Sequence, residues 1–216
     1  MAIRVVCFDL GGVVVRIHRT WEQAARHHGV YRGLAPKWET PDGTQAWRAL
    51  DLEYHRGTLT TAEYFEQVAA LCDGFYAAAE FQSVHHACLI EEYTGMDELV
   101  DQLRERGIVT ACLSNTNEGH WRQMTSRPAV FPTLSKLDVR LASHELGLLK
   151  PEEEIYQAAL ETLSVRPDEI VFFDDLPENV AGAQAGGWHA ALINPEREPR
   201  SQMVPVLTRL GVELAS

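Results

Sequence analysis

The sequence predicts an α/β protein with a Rossmann-like, doubly wound parallel sheet and an inserted all-helical cap. Short apolar runs alternate with segments of helical periodicity over residues 95–216, which is typical of parallel strands joined by right-handed crossovers. A further apolar run begins near the first residue, whereas residues 16–94 show helical patterns and no convincing strand. We therefore predict a core domain formed by residues 1–15 and 95–216, with a helical cap domain formed by residues 16–94.

The first predicted strand is the run from Val5 to Phe8. Its residues are β-branched or aromatic and the run is too short for a stable helix, which favours a strand buried on both faces. Gly11 and Gly12 then end the strand with a turn. Asp9 is therefore expected at the carboxyl end of a buried strand, which is where open α/β sheets bind their ligands.

Four helices are predicted within the cap. Thr60 followed by Glu63 is a capping-box pattern, and glycine or proline residues separate the segments. The predicted cap helices are Trp21–His28, Thr44–His55, Thr60–Cys72 and Ala77–Glu91.

Strands and helices alternate in the rest of the core. Gly107 is a signal for the end of a helix, and Pro151 is a signal for the start of one. The predicted strands are Ile108–Leu113, Asp138–Ala142, Ile170–Phe173 and His189–Ile193. The predicted helices are Asp97–Arg106, Asn117–Met124, Pro151–Leu163, Pro177–Ala185 and Ser201–Leu210.

Composition excludes several classes of function. The hydrophobic content of 45% and charged content of 23% are ordinary for a globular protein, and the net charge of −12 argues against a nucleic-acid partner or an acidic membrane. No apolar run approaches the roughly 18 residues of a membrane span. The first strand starts without a preceding signal-peptide pattern, so we expect a cytoplasmic protein, either a monomer or a homodimer. The scattered residues Cys7, Cys72, Cys88 and Cys112 are expected to be reduced thiols.

Polar residues follow several predicted strands, and they are of types that bind cations and anions. Because the carboxyl ends of parallel strands share one edge of the sheet, we expect these residues to converge. Carboxylates beside one lysine and one hydroxyl suit Mg²⁺ with an anion pocket next to it. Taken singly, the lysine is also typical of a solvated residue before a helix, and the serine of a helix N-cap. The residues are Asp9, Ser114, Asn115, Lys150, Asp174 and Asp175.

These residues belong to four short motifs that follow one another along nearly the whole chain. The motifs are Phe8-Asp9-Leu10-Gly11-Gly12-Val13, Leu113-Ser114-Asn115-Thr116-Asn117, Leu149-Lys150-Pro151 and the run from Phe172 to Val180. Together they resemble the haloacid dehalogenase (HAD) superfamily, most of whose members are phosphatases, and the inserted helices resemble its helical cap. The glycine pair, the Ser-Asn-Thr-Asn run and the double Asp are most similar to bacterial sugar-1-phosphate phosphatases.

The resemblance implies a role for each of these residues. Asp9 would attack phosphorus and form an aspartyl-phosphate, which splits one hard displacement into two easier ones. Lys150 would hold Asp9 and the phosphate, while the Ser114 hydroxyl, the Asn115 backbone N–H and the Gly12 loop would bind the phosphate oxygens. The implied ligands of Mg²⁺ are the Asp9 carboxylate, the Gly11 carbonyl and Asp175, with Asp174 as a further ligand or a supporting neighbour.

One position departs from the family pattern. Most phosphatases of the superfamily carry a second Asp two residues after the nucleophile as general acid and base, a role typically worth about 10²–10⁴-fold in rate, and Gly11 stands there. Three explanations stay open: a substrate whose leaving group needs less protonation, a proton from His18 or Glu118, or a slow or inactive phosphatase that binds a phosphorylated ligand.

A metal-independent 2-haloacid dehalogenase is the alternative enzyme, because that branch also lacks the second Asp. Its site does not need two adjacent carboxylates, which would raise each other's pKa without a cation. We therefore predict a Mg²⁺-dependent phosphatase that hydrolyses a small phosphorylated metabolite, with sugar phosphates as one such class. The cap residues His85 and His86 are interpreted as surface or cap-core residues. Arg16, His18 and Arg19, at the entrance to the cap, are candidates for contact with the substrate.

Overall fold

The structure, a computed structural model, describes residues 2–214. Within them the strands are β1 (Val5–Phe8), β2 (Val15–Ile17), β3 (Leu89–Glu92), β4 (Val109–Ser114), β5 (Val139–Ala142), β6 (Ile170–Asp174) and β7 (His189–Leu192). Five of them form a parallel sheet in the order β5-β4-β1-β6-β7, with β1 at its centre. The predicted doubly wound α/β fold is therefore confirmed.

Eleven helices lie within the described residues, together with short 3₁₀ turns at Pro36–Glu39 and Pro167–Glu169. The helices are α1 (Trp21–His27), α2 (Pro41–His55), α3 (Thr61–Leu71), α4 (Ala78–His86), α5 (Met96–Glu105), α6 (Glu118–Thr125), α7 (Pro132–Lys136), α8 (Ser143–Leu146), α9 (Glu153–Leu163), α10 (Pro177–Ala185) and α11 (Pro199–Arg209).

Hydrophobic cores cover both faces of the large sheet. All residues of β1 are buried, and successive side chains of a strand point to opposite faces. Val6 and Phe8 pack with residues of α5, α7 and α11, whereas Val5 and Cys7 pack with residues of α9 and α10. This two-sided burial explains why the strand sequence is continuously apolar instead of alternating.

Helices α1 to α4, which we call the helical insertion, contain a hydrophobic core of their own. Its largest buried side chains are aromatic and include Tyr54, Tyr76 and Phe81. The predicted capping box forms at the start of α3, where Thr60 accepts from the Glu63 backbone N–H and Glu63 accepts from that of Thr60. The insertion is thus packed from within, independently of the sheet.

The expectation that residues 16–94 contain no strand is wrong at both ends of this segment. Strands β2 and β3 form an antiparallel pair in which Val15 lies opposite Glu92 and Ile17 opposite Leu89. The helix predicted as Ala77–Glu91 therefore ends at His86. The two strands are only three and four residues long and show no alternating burial, so the sequence carries too little periodicity to reveal them. The segment is therefore helical between its ends but joined to the core by a two-stranded ribbon.

Three of the four cysteines, Cys7, Cys72 and Cys112, are buried thiols, and Cys88 is half-buried. None of them is in a disulfide. Within residues 2–214, no helix has both the length and the apolar character needed to cross a membrane.

Candidate active site

The carboxyl edge of the sheet brings together the polar residues of the sequence motifs. Asp9 directly follows β1, and its backbone N–H donates to the Phe173 carbonyl at 2.8 Å. The last residues of the two strands that flank β1 are Ser114 and Asp174. All three side chains are buried at this edge, as the order of the strands requires.

Lys150 is the cation at the centre of the site. Its side chain is fully buried, and Nζ donates to Asp9 Oδ1 at 2.9 Å and to Asp174 Oδ2 at 2.6 Å. Burial by itself would lower the pKa of Lys150, but the charges of Asp9 and Asp174 outweigh burial and raise that pKa. Lys150 is therefore a fixed positive charge that joins the first, third and fourth motifs.

The two adjacent aspartates of the fourth motif have different partners. Asp174 Oδ1 accepts from the Leu176 backbone N–H at 2.8 Å, and the Asn179 amide lies 3.1 Å from each of its oxygens. With Lys150 on Oδ2 as well, both carboxylate oxygens of Asp174 have partners. The carboxylate of Asp175 instead pairs with the guanidinium of Arg19.

Gly12 leaves room for the pair formed by Arg19 and Asp175. A Cβ atom at Gly12 would lie 2.6 Å from Asp175 Oδ2 and closer still to the guanidinium of Arg19. The φ of Gly12 is +82°, a conformation that side-chain-bearing residues resist. The second glycine of the first motif is therefore required for two separate reasons.

Asp9, Asp174 and Asp175 could hold a metal ion together. One oxygen from each carboxylate lies within 4.8 Å of the others, and carboxylate oxygens are among the oxygen donors that Mg²⁺ prefers. Three carboxylates share two cationic side chains here, Lys150 and Arg19, so one negative charge is left uncompensated. The residues present thus fit a divalent cation.

Burial is the largest cause of the pKa shifts of these carboxyls, and the charge of Asp174 adds to it. Burial raises the pKa of Asp9 to about 6, against the opposing charge of Lys150. Burial likewise raises the pKa of Asp175, and the guanidinium of Arg19 opposes that rise. A bound cation would favour the ionised form of both carboxyls, as Lys150 and Arg19 already do.

Asn115 connects the second motif to the third. Its side-chain amide donates to the Lys150 carbonyl, and its amide oxygen accepts from the Lys150 backbone N–H, both at 2.8 Å. The sequence assigned only the backbone N–H of Asn115 to a role at the site. The side chain has an additional one, because its two bonds fix the backbone that carries Lys150.

Gly11 lies where a general acid would be expected, and Ile17 lies close to it. Gly11 forms a β-bridge with Val15, and a Cβ atom at Gly11 would be 3.1 Å from Ile17 Cδ1. That atom is the end of a flexible side chain, so the position is crowded but not closed to a larger residue.

The two candidate proton donors differ in their surroundings. Glu118 accepts from the Thr61 hydroxyl at 2.6 Å and from the Thr61 backbone N–H at 3.2 Å, and these bonds lower its pKa. Glu118 thereby links the core to the helical insertion. His18 lines the cavity described below, and burial, together with His27, lowers its pKa.

The two arginines that were predicted to contact the substrate have different partners. Arg19 reaches Asp175 and lines the same cavity. Arg16 instead pairs with Glu198 at 3.1 Å and stacks over the ring of Tyr93.

A cavity of about 310 Å³ lies between the core and the helical insertion. From the core it is lined by Gly11, Ser114 and Asn115, among others, so it adjoins the motif residues. From the insertion it is lined mainly by aromatic side chains. These include Trp21, Trp38, Trp47, Tyr64, Phe65 and Phe81.

Sequence reasoning missed a polar cluster in this cavity. Asn117, the N-cap of α6, accepts from the His120 backbone N–H at 3.0 Å, and its amide lies 3.2 Å from His85 Nε2 and 3.5 Å from His55 Nε2. The rings of His85 and His120 stack at 3.6 Å. His85 packs against the cap-core rings of Tyr54 and Phe65, in line with its interpretation as a cap-core residue, and it also lines the cavity. No spacing could reveal the cluster, because its members come from three different helices.

Comparison with known proteins gives one family match. The model of the haloacid dehalogenase-like hydrolases matches residues 3–187. A phosphatase from Mycobacterium tuberculosis is 27% identical over 218 residues, which cover 99% of this chain and 98% of that protein. Mouse acyl-CoA dehydrogenase family member 10 is 28% identical over 201 residues, covering 88% of this chain. The chain spans only 18% of the length of that mouse protein.

A solved structure has the same fold. It is a HAD family enzyme from Bacteroides thetaiotaomicron in complex with magnesium and inorganic phosphate. The two chains superpose with a TM-score of 0.75 at 24% identity, covering 91% of this chain and 96% of the other.

Proposed function

The chain belongs to the haloacid dehalogenase-like hydrolases, and on that basis we propose that it is a Mg²⁺-dependent phosphatase of a small phosphorylated metabolite. The similar mycobacterial protein is a phosphatase, and the Bacteroides enzyme of the same fold binds magnesium and phosphate, which supports the proposal. The observation that carries it is the buried cluster in which Lys150 contacts Asp9 and Asp174 beside Asp175.

Asp9 is the proposed nucleophile. One of its carboxylate oxygens attacks phosphorus, the bond from phosphorus to the leaving oxygen breaks, and the leaving oxygen takes a proton from solvent. Water then attacks the phosphorus of the aspartyl-phosphate and loses a proton to solvent, while the bond from phosphorus to the Asp9 oxygen breaks, which releases inorganic phosphate and regenerates the carboxylate. The bond from Lys150 Nζ to Asp9 Oδ1 keeps the carboxylate ionised and oriented for this attack.

The pattern of hydrogen bonds favours one assignment of the proposed metal ligands. Asp9, Asp175 and the Gly11 carbonyl would hold Mg²⁺, whereas Asp174 is occupied by Lys150, Leu176 and Asn179 and would act as a supporting neighbour. When bound, the ion supplies positive charge that reduces the repulsion between an anionic phosphate and an anionic nucleophile. Arg19, the present partner of Asp175, would then be free to contact the phosphate.

Ser114, Asn115 and Gly12 would bind the phosphoryl oxygens. Ser114 and Asn115 line the cavity next to Gly11, so a hydroxyl and a backbone N–H are available to an anion there. The helical insertion would act as a cap that excludes water, held over the core in part by the bond between Thr61 and Glu118.

The absence of a side chain at Gly11 restricts the leaving group of the substrate. With no carboxylate there to protonate the leaving oxygen, we favour esters whose leaving group needs little protonation, such as the anomeric phosphate of a sugar. The same glycine favours the second candidate function, a metal-independent 2-haloacid dehalogenase in which Asp9 displaces halide.

A panel of phosphorylated metabolites and 2-haloacids, assayed with Mg²⁺ and with EDTA, tests these functions. We expect release of inorganic phosphate that EDTA abolishes and that Asp9→Asn reduces by at least about a thousandfold, as expected for loss of a nucleophile. The matched variant Asp42→Asn, at an exposed position of α2, should retain activity.

Two outcomes would contradict the proposal. Halide release that is indifferent to EDTA would identify a dehalogenase. Binding of phosphate esters in calorimetry with no turnover of any of them would identify a ligand-binding protein.

A further inference from the structure

Asp51, on α2, is the carboxylate among the side chains that line the cavity. Among the described residues of this lining, the other permanently charged side chain is that of Arg19, whose guanidinium is paired with Asp175. The rest of the lining is aromatic, aliphatic or polar. Burial lowers the pKa of His18, His85 and His120, which keeps these imidazoles neutral. Asp51 therefore dominates the electrostatics of the part of the cavity that the insertion forms.

The charge of Asp51 is oriented but not neutralised. The Tyr64 hydroxyl donates to Asp51 Oδ1 at 3.1 Å and in turn lies 3.3 Å from the Trp47 indole nitrogen. Within residues 2–214, no lysine or arginine nitrogen lies within 4 Å of this carboxylate. Its side chain is 43% exposed, so the remaining lone pairs are available to a ligand.

His55 does not supply the missing charge. Its Nδ1 is 2.7 Å from the Asp51 carbonyl, to which it donates, and 3.5 Å from the Asp51 carboxylate. Its Nε2 faces the side-chain amide of Asn117, whose oxygen is already used by the His120 backbone N–H. The nitrogen of that amide must therefore face His55 Nε2, while Nδ1 is directed at the Asp51 backbone carbonyl and not at the carboxylate.

Within residues 2–214, four residues of the same lining carry buried side-chain nitrogens without a hydrogen-bond partner. These atoms are covered by protein, so they add no donor to the open cavity, and a buried donor without a partner costs roughly 1–3 kcal/mol. The atoms are His18 Nε2, Trp21 Nε1, Trp38 Nε1 and His85 Nδ1. The cavity itself combines aromatic walls with the partly exposed carboxylate of Asp51, which suits a hydroxylated or amino-substituted ring.

We propose that Asp51 determines the substrate class: it selects phosphate esters whose alcohol part is neutral or cationic and donates a hydrogen bond, and it disfavours esters with a second anionic group. This inference rests on the proposed phosphatase function, because it treats the cavity as the site of the alcohol part. A second phosphate or a carboxylate would meet Asp51 with no cation to compensate it.

A charge series on one ring tests the proposal. The probes are glucosamine 1-phosphate, glucose 1-phosphate and glucuronic acid 1-phosphate. Each ester is mixed with the protein and Mg²⁺ in a stopped-flow instrument, and tryptophan fluorescence is followed before turnover begins. Trp21, Trp38 and Trp47 line the cavity and report binding. We expect the first two esters to bind at least about tenfold more tightly than the third, and Asp51→Asn to remove most of this difference.

The controls separate this inference from the proposed function. Glu53→Gln removes a charge from an exposed position of the same helix and should keep the wild-type order. Equal affinities across the series, no binding of any ester, or an unchanged order in Asp51→Asn would overturn the inference. If Asp51→Asn does not fold, the affinities of the three esters for the wild type are enough to test the inference. Acetyl phosphate is too small to reach Asp51. Its hydrolysis by the wild type therefore tests the phosphatase function independently of this inference.

Discussion

Gly11 shows how one residue can restrict the chemistry of a site. It stands where most phosphatases of the family carry a second aspartate, and its own φ does not require glycine. The only close neighbour of a Cβ atom there is the flexible end of Ile17, at 3.1 Å. A larger side chain at this position is therefore compatible with the backbone and needs only a small shift of Ile17.

We expect Gly11→Asp to increase turnover of simple alkyl phosphates by tenfold or more, because it supplies the general acid that these poor leaving groups require. Hydrolysis of anomeric phosphates should change much less. Steady-state rates on both classes check this, with Gly11→Asn as the control of equal size that cannot donate a proton in the same way. Equal rates for the Asp and Asn variants would show that Gly11 is not the missing acid position.

Lys150 is the residue on which the charge balance of the core depends. Both carboxylates that it contacts are almost fully buried, and Asp174 is completely so. Removing one partner of a buried ion pair leaves an uncompensated charge, which costs roughly 3–5 kcal/mol.

The variant Lys150→Met should therefore lower the free energy of unfolding by about 3 kcal/mol or more. Adding Asp174→Asn removes one of the stranded charges, so the double variant should recover at least about 1 kcal/mol relative to the sum of the single changes. Urea unfolding of the wild type, both single variants and the double variant measures this coupling. Strictly additive effects would mean that the two residues do not act as a pair.

At the scale of elements, α2, α4 and α6 meet in the histidine cluster between the helical insertion and the core. His120 Nε2 donates to the His85 carbonyl at 2.7 Å, and Asn117 bridges the two sides. Burial, with the charges of His55 and His86, lowers the pKa of His120 to about 4. The contact between these helices therefore favours the neutral imidazole of His120.

Acid should weaken this contact. The unfolded chain takes up a proton at the ordinary histidine pKa near 6.5, whereas folded His120 resists protonation until about pH 4. The stabilising contribution is therefore complete above about pH 6.5 and is lost as the pH falls toward 4, by up to about 3 kcal/mol. We take this as an upper bound because His120 is partly open to the cavity.

Urea unfolding at several pH values between 7 and 4 measures this contribution. His120→Gln should make the loss of stability on acidification smaller than in the wild type. His28→Gln, at an exposed position beyond α1, should leave the pH dependence unchanged. An identical acid dependence in His120→Gln and the wild type would contradict the argument.

At the scale of the whole molecule, the chain is acidic, and one group of its carboxylates is buried at the candidate site. The net charge is −12, and the buried cluster of Asp9, Asp174 and Asp175 is short of positive charge even with Lys150 and Arg19 beside it. A ligand that binds the folded chain and not the unfolded one stabilises it by mass action.

Mg²⁺ should therefore raise the melting temperature. At a hundred times its dissociation constant it would add about 2.7 kcal/mol, or roughly 5–10 °C for a chain of this size. Asp175→Asn should remove most of this shift, whereas Asp42→Asn at the exposed start of α2 should retain it. A scan of thermal unfolding with and without Mg²⁺ checks the prediction, and an equal shift in both variants would exclude Asp175 as a ligand.

Much of the fold of the core domain could be predicted from the sequence. The apolar runs from Val5 to Phe8 and from Ile170 to Phe173 predicted the central strands, because strands buried on both faces require continuous apolar residues. Asp9, Ser114 and Asp174 could then be placed at one edge, since parallel strands end on the same side of a sheet. These features are local in the chain, and local patterns are what a sequence displays.

Only the tertiary structure decided how the remaining residues meet. It paired β2 with β3, gave Asp174 and Asp175 different partners, and brought Asp51, His55 and His120 to one cavity. The pairing of β2 with β3, the bonds of Asp174 to Lys150 and of Asp175 to Arg19, and the meeting of α2 with His120 each join residues from separate elements. The sequence does not show which elements will meet, because such partners are chosen by three-dimensional proximity and not by position along the chain.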